Sequence, residues 1–391
     1  MTLRPEQVLE RLKRVVGTSG FTPLHEPRFA GHEWDYVKEC IDTGWVSSAG
    51  SYVGRFEARL AEICGTKHAV AMVNGTAALH LAFVVGGVKP GDEIIMPALT
   101  FVATANAAAH AGAIPHLADS DAATLGLDAA KLKDYLARIA RRQDGATINR
   151  ETGRRIAAIV PMHTFGHPGD MDAICEVADA HGIPVIEDAA ESLGSTYKGR
   201  PCGSFGLLSA LSFNGNKIVT TGGGGAILTN DDAIAQRARH LSTTAKRAHA
   251  WSFDHDEVGW NYRLPNINAA LGVAQLEQLP GFLAAKRELA RMWQAAFAGL
   301  DGISVFVPPA FGNSNHWLTA LILAPGDRQL RDGILTLTNA SGVMTRPVWK
   351  LMHHLPAFAD VPRMNLATAE DLEQRIINIP SSARHGMDHA G

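Results

Sequence analysis

Short apolar segments alternate with amphipathic ones from Val70 onward, which is typical of helices wrapped around a mostly parallel β-sheet. Unbroken apolar runs predict buried strands, and apolar residues three and four positions apart predict helices. The expected strands are His68–Val73, Glu93–Met96, Ile114–Ala118, Ile156–Pro161, Ile183–Glu187, Leu207–Phe213 and Gly225–Thr229. Helices are expected near 76–86, 101–110, 128–140, 170–180 and 231–240. The fold class predicted by this pattern is α/β.

The pattern changes after Pro265. Two helical segments, NINAALGVAQLEQL and LAAKRELARMWQAAFAGL, flank Pro280, and strand-like segments follow at Ile303–Val307, His316–Leu323 and Val343–Pro347. We therefore predict an N-terminal arm over 1–30, a large α/β domain over 31–280 and a smaller α+β domain over 281–391. The polar run Arg141–Arg155 has no apolar period and predicts a surface excursion.

Composition narrows the function classes. The chain has 391 residues, 46% hydrophobic and 19% charged, as in compact globular proteins. Its formal charge of −3 provides no basic field that would draw nucleic acid or an anionic membrane. The four cysteines form no CxxC motif and indicate reduced thiols. With no apolar leader and no membrane-length apolar run, we expect a cytoplasmic protein with neither membrane nor nucleic acid as partner.

An anion site is predicted where the first strand enters a helix. Asn74, Gly75 and Thr76 stand at this junction, and the first amides of a helix have no intrahelical partner. Those amides and the positive end of the helix dipole suit a phosphate, and glycine permits close approach of the backbone. The alternative is that Thr76 only caps the helix.

A carboxylate is predicted at the floor of a cleft. Asp188 ends the apolar strand IPVIED, and ligands of α/β sheets lie beyond the carboxyl ends of strands. In such a water-poor place a carboxylate holds a cationic partner protonated. A second helix cap is the alternative for Asp188.

Lys217 lies among apolar and small residues in SFNGNKIVTTGGGG, away from any charged helical face. Removal from water favours the neutral amine, which is the form that attacks a carbonyl. The four glycines that follow leave room for a flat ring. The alternative is a lysine whose stem packs on the protein while its amine reaches solvent.

These three features together are what pyridoxal 5′-phosphate requires. The helix start anchors the phosphate, the acid protonates the ring nitrogen and the lysine forms the imine. Neither GxGxxG nor GxxxxGK[ST] occurs in the chain, so a nicotinamide oxidoreductase and a P-loop enzyme lose their main support.

Six motifs in a fixed order resemble the DegT/StrS-type nucleotide-sugar aminotransferases of aspartate-aminotransferase fold, called fold type I. They are NGTAAL, PALTFVATANA, DAATLGLD, EDAAESLGS, SFNGNKIVTTGGGG and NYRLPNINAALG, and the resemblance covers about residues 25–385. It implies a large domain with a mostly parallel seven-stranded sheet, a smaller α+β domain and a homodimer with shared active sites.

The resemblance also implies roles for single residues. Lys217 would carry the cofactor imine and shuttle the proton, and Asp188 would pair with the ring nitrogen. The remaining cofactor-binding candidates are Gly75, Thr76, Ala77 and Ser212 at the phosphate, Phe101 stacked on the ring, Glu191 near the phenolic oxygen and Asn261 reaching the phosphate of the neighbouring subunit. A carboxylate at Glu191 would repel a phenolate unless it is protonated or displaced.

Further motifs, such as TGWVSSAG, HDEVGWNYRLPN and TRPVWKLMHHLP, resemble 4-aminotransferases for UDP-4-keto-6-deoxy-N-acetylglucosamine-type sugars of the bacillosamine and legionaminic acid pathways. L-Glutamate is then the amino donor, and surface-glycan precursors such as those of lipopolysaccharide are the destination. His316, Trp317 and Arg346 are candidates for binding the donor carboxylate or the sugar nucleotide. An ordinary surface salt bridge is the alternative for Arg346.

Three other functions remain open. A keto sugar with another nucleotide or a 3-keto group is one, and a non-catalytic regulatory relative is the second. The third, a sugar dehydratase, is disfavoured because those relatives replace the lysine by histidine. His163 and His167 in MHTFGH stand four positions apart, but no HExxH pattern accompanies them, and we expect no metal.

Overall fold

The computed structural model describes residues 3–17, 20–326 and 328–387, so the ends of the predicted N-terminal arm and C-terminal domain lie outside the described residues. Within these ranges the α-helices are α1 Pro5–Val16, α2 Glu33–Thr43, α3 Ser51–Cys64, α4 Gly75–Val85, α5 Val102–His110, α6 Ala129–Ile139, α7 Met171–His181, α8 Asp232–Ser242, α9 Asn266–Phe297, α10 Arg328–Ala340, α11 Ala367–Arg375 and α12 Ala383–Met387.

The strands form several sheets. They are β1 His68–Met72, β2 Glu93–Pro97, β3 Ile114–Ala118, β4 Ala140–Gln143, β5 Ala146–Asn149, β6 Ile156–Ile159, β7 Ile186–Asp188, β8 Thr196–Tyr197, β9 Arg200–Pro201, β10 Leu208–Ser212, β11 Gly225–Thr229, β12 Ile303–Val305, β13 Gly312–Asn313, β14 Thr319–Leu323, β15 Arg346–Pro347 and β16 Ile376–Ile379.

Two sheets contain the seven strands that the sequence predicted as one. Their orders are β1-β11-β10-β7 and β3-β2-β6. Strand β11 is antiparallel to β1 and β10, while β10 and β7 are parallel, as are the pairs in the second sheet. Isolated parallel bridges from Ile159 to Val185 and from Met162 to Asp188 lie between the two sheets. The seven strands therefore form two sheets that adjoin at these bridges, instead of the one sheet that was expected.

This arrangement brings strand ends together. Because β1, β7 and β10 run in the same direction, their carboxyl ends share one edge of the sheet. The helices that follow pack their apolar faces on the strands, and Val70, Ile94 and Ile227 are fully buried in the same core. The shared edge is where the sequence placed its candidate residues.

The C-terminal region is built on an antiparallel sheet of order β12-β14-β16-β15. Helix α1 packs on it, since Val8 and Leu12 lie in one apolar cluster with Trp293 and Leu321. The predicted N-terminal arm thus contains a helix that the pattern did not reveal.

Helix α9 is continuous, although the sequence predicted two helices separated by Pro280. An internal proline costs about 3 kcal/mol through a lost hydrogen bond and a steric clash. On either side of it Leu276, Leu279 and Phe282 are buried, and each buried apolar side chain contributes about 1.5–3 kcal/mol. Packing on both sides therefore outweighs the cost of the proline.

The polar run 141–155 contains regular structure. Strands β4 and β5 form an antiparallel hairpin within it. The buried Asn149 donates to Glu93 Oε2 at 2.8 Å, and Thr152 donates to Glu93 Oε1 at 2.5 Å. Hydrogen bonds to the buried Glu93 carboxylate hold this run in place, so it does not need the regular apolar positions from which a helix or strand would be predicted.

The cysteines are unpaired: Cys40, Cys64 and Cys202 are buried, and Cys175 is half-buried. In the part of the chain that the structure describes, no helix has the length and apolarity needed to cross a membrane.

Candidate active site

A cavity of about 280 Å³ lies at the shared edge of the strands. Asp188 ends β7, Ser212 ends β10, and Asn74 and Gly75 join β1 to α4. All four line the cavity together with Lys217. The structure therefore brings together the three parts that the sequence predicted separately: the helix start, the acid and the lysine.

The helix start at the cavity is capped by Asn74. Its Oδ1 accepts the Ala77 N–H at 2.8 Å. The helix is therefore capped by Asn74, and not by Thr76, which was the alternative given in the sequence analysis. The Ala77 amide, a predicted phosphate donor, is thus already engaged. The amides of Gly75 and Thr76 precede the first intrahelical bond, and both residues line the cavity beside Ser212.

Glycines let the backbone close around this helix start. A Cβ on Gly75 would lie 2.8 Å from Ser212 Cβ, and one on Gly225 would lie 2.5 Å from the Asn74 carbonyl oxygen. The last of the four glycines therefore packs strand β11 against the helix start. Gly225 does not itself line the cavity, and the expectation that the four glycines leave room for a flat ring stays a prediction.

Asp188 is buried at the floor of the cavity, with 3% of its surface exposed. Its Oδ2 accepts the Thr104 hydroxyl at 2.6 Å and its Oδ1 accepts the Ala190 N–H at 3.2 Å. Burial raises the pKa of Asp188, and the hydrogen bond from Thr104 opposes that rise. The carboxylate is not a helix cap, the alternative considered above, because no helix begins at this point.

Lys217 projects into the same cavity, and its side chain is 12% exposed. Its Nζ lies 3.1 Å from Glu191 Oε1 and 3.7 Å from the centre of the Trp317 ring. A carboxylate and an aromatic face both attract an ammonium group. The amine is therefore held inside the site and does not reach outward to solvent.

Glu191 is the second buried carboxyl group of the cavity. Its Oε2 accepts the Phe165 N–H at 2.8 Å, and Phe165 adopts a left-handed backbone conformation with φ of 57°. Burial raises the pKa of Glu191 to about 7, although the charge of Lys217 opposes the rise. This carboxyl group therefore changes its charge near neutral pH.

The other predicted residues are distributed more widely. Phe101 lies at the start of α5, lines the cavity and is 48% exposed. Trp317 also lines it, whereas His316 does not, and burial lowers the pKa of His316 to about 4. Arg346 is exposed outside the cavity, where it donates to Asn339 Oδ1 at 2.9 Å. Asn261 is exposed and does not line the cavity of its own chain.

Several residues that line the cavity, among them Trp349 and Ala103, received no role in the sequence analysis. Trp349 lies with its ring centre 6.1 Å from that of Phe101 and 5.0 Å from that of Phe165. Trp349 belongs to the motif TRPVWKLMHHLP, which pointed to this segment, but the motif alone does not show which of its side chains lines the cavity.

His163 and His167 lie beneath the site. His163 Nε2 is 3.1 Å from Glu187 Oε2, and both side chains are fully buried. His167 packs against Phe306, with ring centres 4.7 Å apart. The two histidines follow strand β6 on either side of a 3₁₀ turn rather than sharing a helix face.

The residues present fit pyridoxal 5′-phosphate. A helix start with unbonded amides suits its phosphate, a buried anion suits its ring nitrogen, and a lysine amine enclosed with them suits its aldehyde. The cavity's aromatic side chains, Phe101, Trp317 and Trp349, suit a flat ring.

A model of the DegT/DnrJ/EryC1/StrS aminotransferase family matches residues 28–390. The chain belongs to this family. It is 41% identical over 359 residues to a GDP-perosamine synthase of Caulobacter vibrioides, covering 91% of this chain and 92% of that protein. It is 35% identical to a GDP-perosamine synthase of Escherichia coli O157:H7, covering 92% and 93%. The solved aminotransferase TlmJ from Streptoalloteichus hindustanus superposes with a TM-score of 0.83 at 29% identity, covering 93% and 94%.

The family resemblance found in the motifs is thereby confirmed. The protein is a pyridoxal phosphate-dependent aminotransferase that acts on nucleotide sugars. Its structural neighbours agree with the predicted fold type I.

Proposed function

We propose that this aminotransferase moves an amino group from L-glutamate to C4 of a nucleotide-linked 4-keto-6-deoxy sugar, for surface-glycan precursors. The observation that supports it is the single cavity that encloses Lys217, Asp188 and the α4 start. Both half-reactions of this ping-pong transfer, the one with glutamate and the one with the keto sugar, would take place in that cavity, where Lys217 would move the proton.

Bound pyridoxal phosphate supplies an electron sink for the carbon that loses its proton. In the proposal Lys217 carries that proton, and only its neutral amine accepts one. Asp188 would pair with the ring nitrogen and keep it protonated. Gly75, Thr76 and Ser212 would hold the phosphate.

The identity of the nucleotide has two candidates. Two relatives, at 41% and 35% identity, are named GDP-perosamine synthases, which favours a GDP-linked sugar and a 4-amino product. The motifs shared with the bacillosamine and legionaminic acid branch favour UDP-4-keto-6-deoxy-N-acetylglucosamine. We place the GDP-linked sugar first because the identity to those relatives extends over nine-tenths of the chain.

The test is incubation of the holoenzyme and glutamate with GDP-, UDP- and dTDP-linked 3- and 4-keto sugars, scored by product mass. Amination of the GDP-linked 4-keto-6-deoxy sugar alone supports our first candidate, and amination of the UDP-linked sugar alone replaces it by the second. Conversion of 3-keto sugars only would overturn C4 transfer. Lys217→Ala is the inactive control, and its circular dichroism must match that of wild type.

We further propose a homodimer with shared sites. Lys217 is the one cationic side chain lining the cavity within the described ranges, so the anionic substrate needs further partners. Asn261 is exposed, as are the large aromatic residues Trp34 (77%), Trp45 (60%) and Trp251 (82%).

Complementation tests this sharing. Dimers of Lys217→Ala chains and dimers of Asn261→Ala chains are each expected to be inactive. When equal amounts of the two chains are refolded together, half of the dimers contain one chain of each kind, and each such dimer has one intact site out of two. The mixture should therefore regain about a quarter of wild-type activity. The two chains carry different affinity tags, so that purification through both tags isolates the mixed dimers; no activity in those mixed dimers would contradict the sharing.

A further inference from the structure

A chain of buried hydroxyl groups leads to Asp188. Thr104, in the first turn of α5, donates to Asp188 Oδ2 at 2.6 Å. Thr104 Oγ1 in turn lies 2.8 Å from Thr100 Oγ1. Both threonines are fully buried. Within the described residues, Thr104 is the one side chain that hydrogen-bonds to Asp188, whose other oxygen accepts the Ala190 N–H at 3.2 Å.

The direction of this chain follows from its protons. An ionised carboxylate has no proton to give, so Thr104 is the donor to Asp188. The Phe101 carbonyl lies farther from the Thr104 hydroxyl, at 3.2 Å, and a charged acceptor makes the stronger bond. Thr104 can then only accept from Thr100, whose other neighbour is the weakly accepting sulfur of Met162 at 3.2 Å. The hydrogen bonds therefore run from Thr100 to Thr104 to Asp188.

We propose that Thr104 is a positioning residue that fixes the orientation of the Asp188 carboxylate and keeps it anionic toward the cofactor's ring nitrogen. Burial favours the uncharged acid, and a hydrogen bond to the charged form opposes that preference. Thr104 also fixes which Asp188 lone pairs remain for the cavity, since each oxygen already accepts one bond from the protein. The inference concerns the cofactor only and is independent of which sugar is aminated.

The test compares holoenzymes reconstituted with ¹⁵N-labelled pyridoxal phosphate. Thr104→Val keeps the shape and removes the donor, and Thr104→Ser keeps the donor. In wild type and Thr104→Ser, the ¹⁵N signal of the ring should report a protonated nitrogen. In Thr104→Val it should move toward the unprotonated value, because the proton then favours the carboxylate. The rate of the glutamate half-reaction should fall about 10- to 100-fold, with KM for glutamate nearly unchanged.

Thr338→Val is the matched control. Thr338 is also a fully buried helical threonine, and its hydroxyl pairs with Thr345 Oγ1 at 2.6 Å, outside the active-site cavity. It should lose stability without moving the ¹⁵N signal. An unchanged signal in folded, cofactor-bound Thr104→Val would overturn the proposal, and so would a signal displaced equally in Thr338→Val.

Discussion

Glu191→Gln should change how the stability of the cofactor-free protein depends on pH. Burial raises the pKa of Glu191 from its ordinary 4.5 to about 7. Since the folded protein holds this proton more tightly than the unfolded chain, the stabilisation is complete below about pH 4.5 and is lost as the pH rises to about 7. Such a difference in pKa corresponds to about 3 kcal/mol. Glutamine has no proton to lose and still offers an oxygen to Lys217.

The free energy of unfolding should therefore favour the variant increasingly at higher pH. Between pH 5.5 and pH 8 the variant should gain about 2 kcal/mol relative to wild type. Urea unfolding of both proteins, at one protein concentration, measures this difference. Glu10→Gln, at a glutamate whose side chain is 70% exposed, is the control and should give a difference that does not vary with pH. A pH-independent difference for Glu191→Gln as well would refute the reasoning.

Three further substitutions test the site and its surroundings. Gly225→Ala places a Cβ within 2.5 Å of the Asn74 carbonyl oxygen. It should weaken cofactor binding at least about tenfold, measured by fluorescence titration. Gly223→Ala is its control: a Cβ there has its nearest neighbour at 3.9 Å, and cofactor binding should not change. Asp188→Asn should keep the cofactor but slow the glutamate half-reaction about 100-fold or more, measured by stopped-flow absorbance, and an unchanged rate would remove this residue from its role. Asn149→Ala removes a buried hydrogen bond to a carboxylate and should cost about 1.5–3 kcal/mol in urea unfolding; the exposed Arg141→Ala should change stability by less than about 0.5 kcal/mol.

The sequence predicted the strands that carry the site because their signal is local. Apolar residues predicted strands at 68–73, 93–96 and 207–213, and the structure has strands at 68–72, 93–97 and 208–212. Helices α1 to α3 were not predicted, and the break at Pro280 was predicted but is absent. Both errors concern helices whose stability comes from packing against distant segments.

Residues of the candidate site could be predicted where a single short motif contains them. Lys217, Asp188 and the α4 start line one cavity, as expected, and their catalytic roles stay predictions. Thr104 was missed because its partner is 84 positions away, a relation that no local pattern encodes. Arg346 was a candidate because of its motif and its residue type; it lies on the surface of the chain, and its role stays a prediction. The cytoplasmic location and the domain boundaries also stay predictions.

Helix α9 gives the molecule a mechanical property. At 32 residues it is about 48 Å long. Near the beginning of the helix, the Asn268 side chain donates to the Thr221 carbonyl at 2.7 Å, directly before the glycine run. The last turns of the helix pack against the C-terminal sheet. The helix therefore connects that sheet to the glycine run that follows Lys217. We therefore expect a displacement of the C-terminal sheet to shift the glycine run that follows Lys217.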